Sequence, residues 1–265
     1  MGITLAIANQ KGGCGKTTTA TSLAACWAMN GSRVLLVDCD PQANASYSFG
    51  LPVAAAPVTL WSLFERPDLG IEYGLYKKGN LHLLCGSPQL ARAEREWPPG
   101  YTSLFRLSTL LGRASGDYDY IVIDCPPSTG LLTQNALAAA DRLIVPVDIG
   151  FYSLIGITQL LARIEEVREV NPRLEILGFV LTQYDGRAGL SSSVRERLEQ
   201  SYPGRVFQSV IRPTVRLKEA PSHELSIFEY DPNGNGSRDY RALALEVETW
   251  LKSAARSARA PSQST

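Results

Sequence analysis

The feature that most constrains this 265-residue chain lies within its first 20 residues. An apolar run at residues 3–8 leads directly into the segment Asn9-Gln10-Lys11-Gly12-Gly13-Cys14-Gly15-Lys16-Thr17-Thr18. Residues 18–29 then carry apolar side chains at helical spacing. A strand that enters a glycine-rich turn and continues into a helix is the arrangement in which backbone N–H groups surround phosphates. The order of these three elements therefore predicts a phosphate-binding loop and a nucleotide-binding fold.

Each residue of the loop has an expected task. The side chain of Lys16 can reach the β- and γ-phosphates, and the hydroxyl of Thr17 can ligate Mg²⁺. Lys11 precedes Lys16 by five positions on the far side of the turn, so it cannot easily hold a phosphate of its own site. It could instead reach the nucleotide of another subunit. The expected nucleotide-binding residues of the loop are Gly12, Gly13, Cys14, Gly15, Lys16, Thr17 and Thr18.

Three carboxylates follow apolar runs. Asp38 and Asp40 come after the second run, in Asp38-Cys39-Asp40-Pro41-Gln42, and Asp124 ends the run at residues 120–123. Because the carboxyl ends of parallel strands share one edge of a sheet, these acids are expected beside the phosphate loop. Asp40 is predicted to orient or deprotonate the attacking water, and Asp38 and Asp124 to hold Mg²⁺. A plain turn capped by an aspartate would explain only one acid of the first pair.

The distribution of apolar residues predicts the fold class. Continuous, often β-branched runs recur at residues 3–8, 33–37, 81–84, 120–123, 143–147, 176–181 and 206–210, and helical patterns separate most of them. Strands without alternation are covered on both faces, which favours a doubly wound α/β fold with a mostly parallel sheet and helices on both faces. Residues 51–99 are predicted to form a surface elaboration with one short helix near residues 60–64. The last regular helix is expected at about 239–252.

Composition limits the remaining possibilities. We expect one domain at residues 1–252 and a flexible Ala/Ser/Arg-rich tail at 253–265. No apolar stretch reaches the length of about 18 residues that a membrane span needs, so a cytoplasmic location without membrane attachment is expected. Basic and acidic residues both number 26, which gives no sign of a polyanionic partner from net charge alone. The five cysteines form no CxxC pair and are expected to be reduced, mostly buried thiols.

Four segments together carry a family resemblance. These are KGGCGKTT, DCDPQANAS from Asp38, IVIDCPPSTG from Ile121 and VIRPTVRLKEAPS from Val210, and they occur in order along nearly the whole chain. The chain resembles the ParA branch of the ParA/MinD ATPases, which are P-loop NTPases with a deviant Walker A motif. The resemblance implies an ATPase that forms a nucleotide-sandwich homodimer with Mg·ATP and binds double-stranded DNA without sequence preference. It also implies a nucleoid-associated protein whose hydrolysis is stimulated by a ParB-like or other cargo adaptor.

The resemblance assigns further roles to individual positions. Lys11 matches the signature lysine that crosses the dimer interface, and Gly12 matches a glycine that permits subunit approach. Arg212 and Pro213 fall where the family has its adenine-side loop. Arg216 matches a basic residue implicated in DNA contact, and Lys218 is added to it as a candidate. Asp148 stands where relatives commonly carry Glu or Gln, so its role is left open.

Two other functions remain as alternatives. A MinD-like membrane-surface ATPase needs a basic amphipathic helix at its C-terminus, and the segment after Leu251 offers no bulky apolar residue. A metabolic or electron-transfer enzyme on the same scaffold could be an ATP-dependent ligase or a nitrogenase-reductase-like protein. The latter needs two cysteine ligands per subunit for a shared iron–sulfur cluster, and Cys85 and Cys125 are the conceivable pair.

Overall fold

The computed structural model describes residues 2–98, 100–150 and 153–259. Its strands are β1 Ile3–Ile7, β2 Val34–Asp38, β3 Leu75–Lys78, β4 Leu81–Leu84, β5 Tyr120–Asp124, β6 Arg142–Asp148, β7 Glu175–Thr182 and β8 Val206–Ile211. Its α-helices are α1 Lys16–Met29, α2 Asn44–Tyr47, α3 Leu60–Glu65, α4 Ala93–Glu96, α5 Tyr101–Leu104, α6 Arg106–Gly112, α7 Leu131–Ala139, α8 Ser153–Arg168, α9 Gly189–Ser201, α10 Arg216–Glu219, α11 Ile227–Tyr230 and α12 Asn235–Arg259. Short 3₁₀ turns lie at Val53–Ala55, Ile71–Gly74, Pro88–Arg92 and Ala220–His223.

All eight strands belong to one sheet in the order β3-β4-β2-β5-β1-β6-β7-β8. Every neighbouring pair is parallel except β3 and β4. The strand β1 lies between β5 and β6, so the segment that follows it emerges near the middle of the sheet. The predicted doubly wound, mostly parallel architecture is confirmed.

Helices cover both faces of the sheet. Successive side chains of a strand point to opposite sides, and in β1 both sets of side chains are apolar. Leu5 and Ile7 of β1 pack with α1 and α12 in one apolar cluster. Ala6 and Ala8 pack in a second cluster with α3, α6, α7, α8 and α9. All four side chains are at most 1% exposed. This two-sided burial is the physical reason that the strand sequences read as continuous apolar runs.

Two elements differ from the sequence prediction. The strand β3 was not predicted, because its sequence Leu-Tyr-Lys-Lys is partly exposed and lacks an apolar run. It pairs antiparallel with β4 at the edge of the sheet, where one side needs no partner strand. The last helix begins at Asn235 and continues to Arg259, beyond the end expected near Lys252. Residues 260–265 lie outside the described residues, and the flexible tail stays a prediction.

The topology gathers the carboxyl ends of β1, β2, β5, β6 and β7 along one edge of the sheet. Ligands of open parallel sheets bind at this edge. Among the described helices, none is both long and apolar enough to cross a bilayer.

Candidate nucleotide site

The glycine-rich loop joins β1 to α1 with two residues in left-handed backbone conformations. Gly13 has φ 74° and Gly15 has φ 88°, values that cost a side-chain-bearing residue conformational energy. The helix α1 then begins at Lys16, and no side chain caps its first turn. The free N–H groups of this turn point toward the loop, where they can donate to phosphate oxygens.

The side chain of Lys16 lies inside the phosphate-binding loop. This side chain is buried, and Nζ donates a hydrogen bond of 2.9 Å to the carbonyl oxygen of Lys11. The sulfur of Cys14 lies 4.0 Å from the same nitrogen. Burial is the main reason that the pKa of the Cys14 thiol is raised, which makes the thiol unreactive. An ammonium group already held inside the loop is placed to meet the β- and γ-phosphates.

The last residue of β7 and the residue after it fasten the loop from the side. The hydroxyl of Thr182 donates to the carbonyl oxygen of Cys14 at 2.9 Å, and Nε2 of Gln183 donates to that of Gly13 at 3.2 Å. Gln183 adopts φ 53°, an uncommon conformation for a residue other than glycine. Sequence reasoning missed both residues. The signal was present, since they directly follow the apolar run 176–181, as Asp124 follows its own run.

The acids Asp38 and Asp124 lie side by side at the ends of β2 and β5. Asp124 is fully buried, and neither of its carboxylate oxygens has a hydrogen-bond partner among the described residues. Burial, and next the charge of Asp38, raise the pKa of Asp124 well above its usual range, while the Thr17 hydroxyl and the Lys16 ammonium oppose this. A buried carboxylate without a partner beside a threonine hydroxyl fits a Mg²⁺ site, because Mg²⁺ takes one or two protein oxygens together with phosphates and water.

Asp38 and Asp40 make different contacts from Asp124. The Oδ2 atom of Asp38 accepts hydrogen bonds from the backbone N–H and the hydroxyl of Ser46, both at 2.7 Å, and Oδ1 accepts one from the N–H of Asp40 at 3.2 Å. Burial raises the pKa of Asp38 to about 6. Asp40 is also buried and accepts a hydrogen bond from the N–H of Gln42 at 2.9 Å. The occupied oxygens of Asp38 favour a supporting role beside the metal over direct ligation.

A cavity of about 340 Å³ lies on the other side of the loop. Its lining includes Gly13 and Gly15 of the loop, Thr18 of α1, the two residues that fasten the loop, and Arg212 and Pro213. It therefore adjoins the phosphate-binding segment on the side where a nucleotide base is expected. The guanidinium of Arg212 forms an ion pair with Asp239. Nη2 of Arg212 donates to Oδ1 of Asp239 at 2.6 Å. The backbone N–H of Arg212 also donates to Asp239 at 2.9 Å, which fixes the loop after β8.

The two predicted DNA-binding residues lie on α10, close to the base cavity. Arg216 is exposed and donates to Glu219 at 2.9 Å, with its guanidinium 6.0 Å from the ring centre of Tyr230. Lys218 is exposed but also lines the base cavity. The structure therefore places Lys218 beside the nucleotide loop, whereas Arg216 is paired with Glu219.

Comparisons with known proteins identify the scaffold. Residues 2–176 match the family described as AAA domain. The sporulation initiation inhibitor protein Soj of Bacillus subtilis is 43% identical over 93% of this chain and 98% of its own length. The chain belongs to the ParA/Soj family of partitioning ATPases. The chromosome partitioning protein ParA of Caulobacter vibrioides is 42% identical over 92% of each chain. The predicted family is confirmed.

A solved structure extends the comparison to the fold. It is that of a protein named cobyrinic acid a,c-diamide synthase from Mycobacterium smegmatis, with bound ADP and magnesium. It superimposes on this chain with a TM-score of 0.83 at 33% identity, over 96% of this chain and 97% of the other. It supports the P-loop scaffold predicted from the sequence.

Proposed function

We propose that this ParA/Soj-type ATPase, whose cofactors are ATP and Mg²⁺, pairs with a second copy of itself when both copies hold Mg·ATP. The pair binds double-stranded DNA without sequence preference. A ParB-like or other cargo adaptor stimulates hydrolysis, which separates the pair and releases it from DNA. A cycle of this kind positions or segregates a plasmid, a chromosome or a protein assembly on the nucleoid. The Caulobacter vibrioides relative that is named for chromosome partitioning, at 42% identity, supports this choice.

The placement of Lys11 carries the proposal. Lys16 occupies the interior of the loop, whereas the Nζ atom of Lys11 lies 2.6 Å from Asp148 at the end of β6. The side chain of Lys11 is thus held at a carboxylate of β6, and 30% of it is exposed, so a triphosphate that approaches from outside the chain can reach it. The reach of Lys11 toward a partner's nucleotide is the step that ties pairing to ATP.

Gly12 supplies a second argument for pairing. A Cβ atom added at Gly12 would have no heavy atom within 4 Å, and Gly12 does not have a positive φ. Neither backbone conformation nor packing within the chain therefore requires glycine at this position. A close approach of another molecule to the loop would require it. Together with Lys11, this residue marks the loop as the face that meets the second copy.

The remaining site residues take the roles that their surroundings allow. Thr17 and Asp124 would hold Mg²⁺, which when bound neutralises charge on the transferred phosphoryl group. Asp38 keeps the segment after β2 in place through Ser46. Asp40 orients the water that attacks the γ-phosphate. Because hydrolysis of this kind depends on positioning and electrostatic stabilisation, small displacements of the segment that carries Asp40 are sufficient for an adaptor to change the rate.

The DNA step rests on the doubling of basic side chains. Exposed lysine and arginine residues occur on α10 and α12, among them Arg216, Lys218, Arg238 and Arg241. Each DNA phosphate that a protein neutralises contributes about 0.9 to the slope of binding against salt concentration. A dimer presents twice the number of such groups to one duplex, so ATP-driven pairing raises DNA affinity steeply. ATP thereby acts as the switch for DNA binding.

The test is co-sedimentation with non-specific double-stranded DNA under three conditions: with ATP, with ADP, and with ATP for the Lys11→Ala variant. DNA binding is expected only for the unmodified chain with ATP. The dependence of this binding on salt concentration should weaken when Arg216 or Lys218 is replaced by alanine. Equal binding in all three conditions would overturn the proposed cycle. Two other results would place the chain in an alternative class. One is ATP-dependent binding to anionic liposomes. The other is an ATP-dependent amide-forming activity, which the name of the Mycobacterium protein suggests.

A further inference from the structure

The pair between Lys11 and Asp148 has a fixed geometry. Nζ of Lys11 lies 2.6 Å from Oδ2 of Asp148, and the two side chains are 30% and 15% exposed. The backbone on both sides of the pair is anchored. Asn9 donates through Nδ2 to the carbonyl oxygen of Pro146 at 2.7 Å and accepts from the N–H of Lys11 at 3.1 Å. The ends of β1 and β6 are therefore joined, and Asp148 is presented to the loop from a rigid strand.

Asp148 acts on the loop through Lys11, which opens the glycine-rich segment that is expected to surround a triphosphate. Lys11 therefore has two competing anionic sites. One is the carboxylate of its own chain, and the other is the triphosphate bound by a second copy.

We propose that Asp148 is a positioning residue that retains Lys11 within its own chain and must release it before two ATP-loaded copies pair. This inference rests on the proposed function. The retained lysine sets a threshold, because pairing has to exchange one ion pair per chain for contacts with the partner's phosphates. When hydrolysis removes the γ-phosphate, Asp148 recaptures Lys11, which favours separation. The residue thus adjusts how readily the pair forms and dissociates without taking part in phosphoryl transfer.

The size of the effect follows from the pair. A half-buried ion pair of good geometry contributes about a fivefold factor to an equilibrium. Each of the two chains has to break its own pair, so the factors multiply to about 25-fold in the dissociation constant of the dimer. Asp148→Asn removes the charge and keeps the shape of the side chain. The substitution is expected to tighten ATP-dependent dimerisation by this amount.

The experiment compares Asp40→Ala, as a hydrolysis-blocked parent, with the double variant Asp40→Ala/Asp148→Asn. Sedimentation velocity over a range of protein concentrations, with Mg·ATP, gives the dimer dissociation constant of each. Asp148→Glu in the same parent keeps the charge and is expected to stay near the parent value. Asp119→Asn is the matched control, because Asp119 is exposed, pairs with Arg33 and precedes β5 at the opposite edge of the sheet. It removes the same charge far from the loop.

A nucleotide-binding measurement separates the lysine effect from simple charge repulsion. Fluorescent ATP is titrated into Lys11→Ala and into Lys11→Ala/Asp148→Asn at concentrations where the chain is a monomer. Equal affinities are expected, because Asp148 acts through Lys11. Tighter binding by the double variant would show that Asp148 acts directly on the nucleotide and would overturn the inference. So would an unchanged or weaker dimer for Asp40→Ala/Asp148→Asn. If the Asp40→Ala parent itself stays monomeric with Mg·ATP, the proposed function fails instead.

Discussion

Removing the charge of Asp124 should stabilise the nucleotide-free protein while it removes the response to Mg·ATP. The carboxylate is fully buried, and its oxygens have no hydrogen-bond partner among the described residues. A buried polar group without a partner destabilises the folded state by about 1–3 kcal/mol, and a charged group by more. Asp124→Asn keeps the size of the side chain and removes the charge. We therefore expect the free energy of unfolding of the variant to rise by about 2 kcal/mol at pH 7.5.

The magnitude translates into a thermal shift and a pH dependence. A chain of 265 residues has an unfolding entropy of about 0.6 kcal/mol/K near its midpoint, so 2 kcal/mol corresponds to about 3 °C. Burial raises the pKa of Asp124 in the folded state above its unfolded value. Such an acid lowers the stability of the protein progressively as the pH rises from the unfolded pKa toward the folded pKa, and it causes no loss below the unfolded pKa. The advantage of the variant should therefore be largest at pH 7–8 and should shrink as the pH falls toward 5.

The assay is thermal unfolding in EDTA from pH 5 to pH 8, repeated at pH 7.5 with Mg·ATP. The parent protein should gain stability from Mg·ATP, and Asp124→Asn should gain little, because the carboxylate that would hold the metal is gone. Asp68→Asn, at an exposed position, serves as the control and should change the midpoint by less than about 1 °C. A nucleotide-free variant that is less stable than the parent at pH 7.5, or a difference independent of pH, would refute the reasoning.

Two further substitutions probe the scaffold and the base cavity. Gly178→Ala should destabilise the fold by about 1–3 kcal/mol, since a Cβ there would lie 2.8 Å from the ring of Phe207. Urea unfolding checks this, with Gly116→Ala, which meets nothing within 4 Å, as the control that should stay within about 0.5 kcal/mol. Arg212→Ala should raise the KM for ATP several-fold and leave kcat nearly unchanged, because its pair with Asp239 orders the cavity and not the reacting phosphate. Steady-state kinetics measure both constants, and a fall in kcat as large as the rise in KM would contradict the prediction.

The central strands and the phosphate loop could be predicted from the sequence because their signals are local. Two-sided burial makes β1 a continuous apolar run, and the turn that follows needs glycine at positions 13 and 15 for conformational reasons. The edge strand β3 could not be predicted in the same way. One of its sides is open to solvent, so its residues need not be apolar, and only its pairing with β4 makes it a strand.

Contacts between distant segments also could not be predicted from the sequence. Thr182 binds the backbone of Cys14 across 168 positions, and Asp239 holds Arg212 across 27. The position of Thr182 after an apolar run places it at the edge of the sheet that holds the site, but the sequence does not indicate which backbone atom it contacts. Asp38 shows a subtler limit, because the sequence places it correctly at the end of β2 but does not reveal that Ser46 occupies its Oδ2 atom.

The attachment of the loop to β7 has a consequence for nucleotide exchange. Since the side chains of Thr182 and Gln183 already restrain the carbonyls of Cys14 and Gly13, the loop loses little conformational freedom when a nucleotide enters. Affinity is therefore gained without the entropic cost of ordering a mobile segment. The same two residues also line the base cavity, so the cavity wall and the phosphate loop are restrained together before a nucleotide enters.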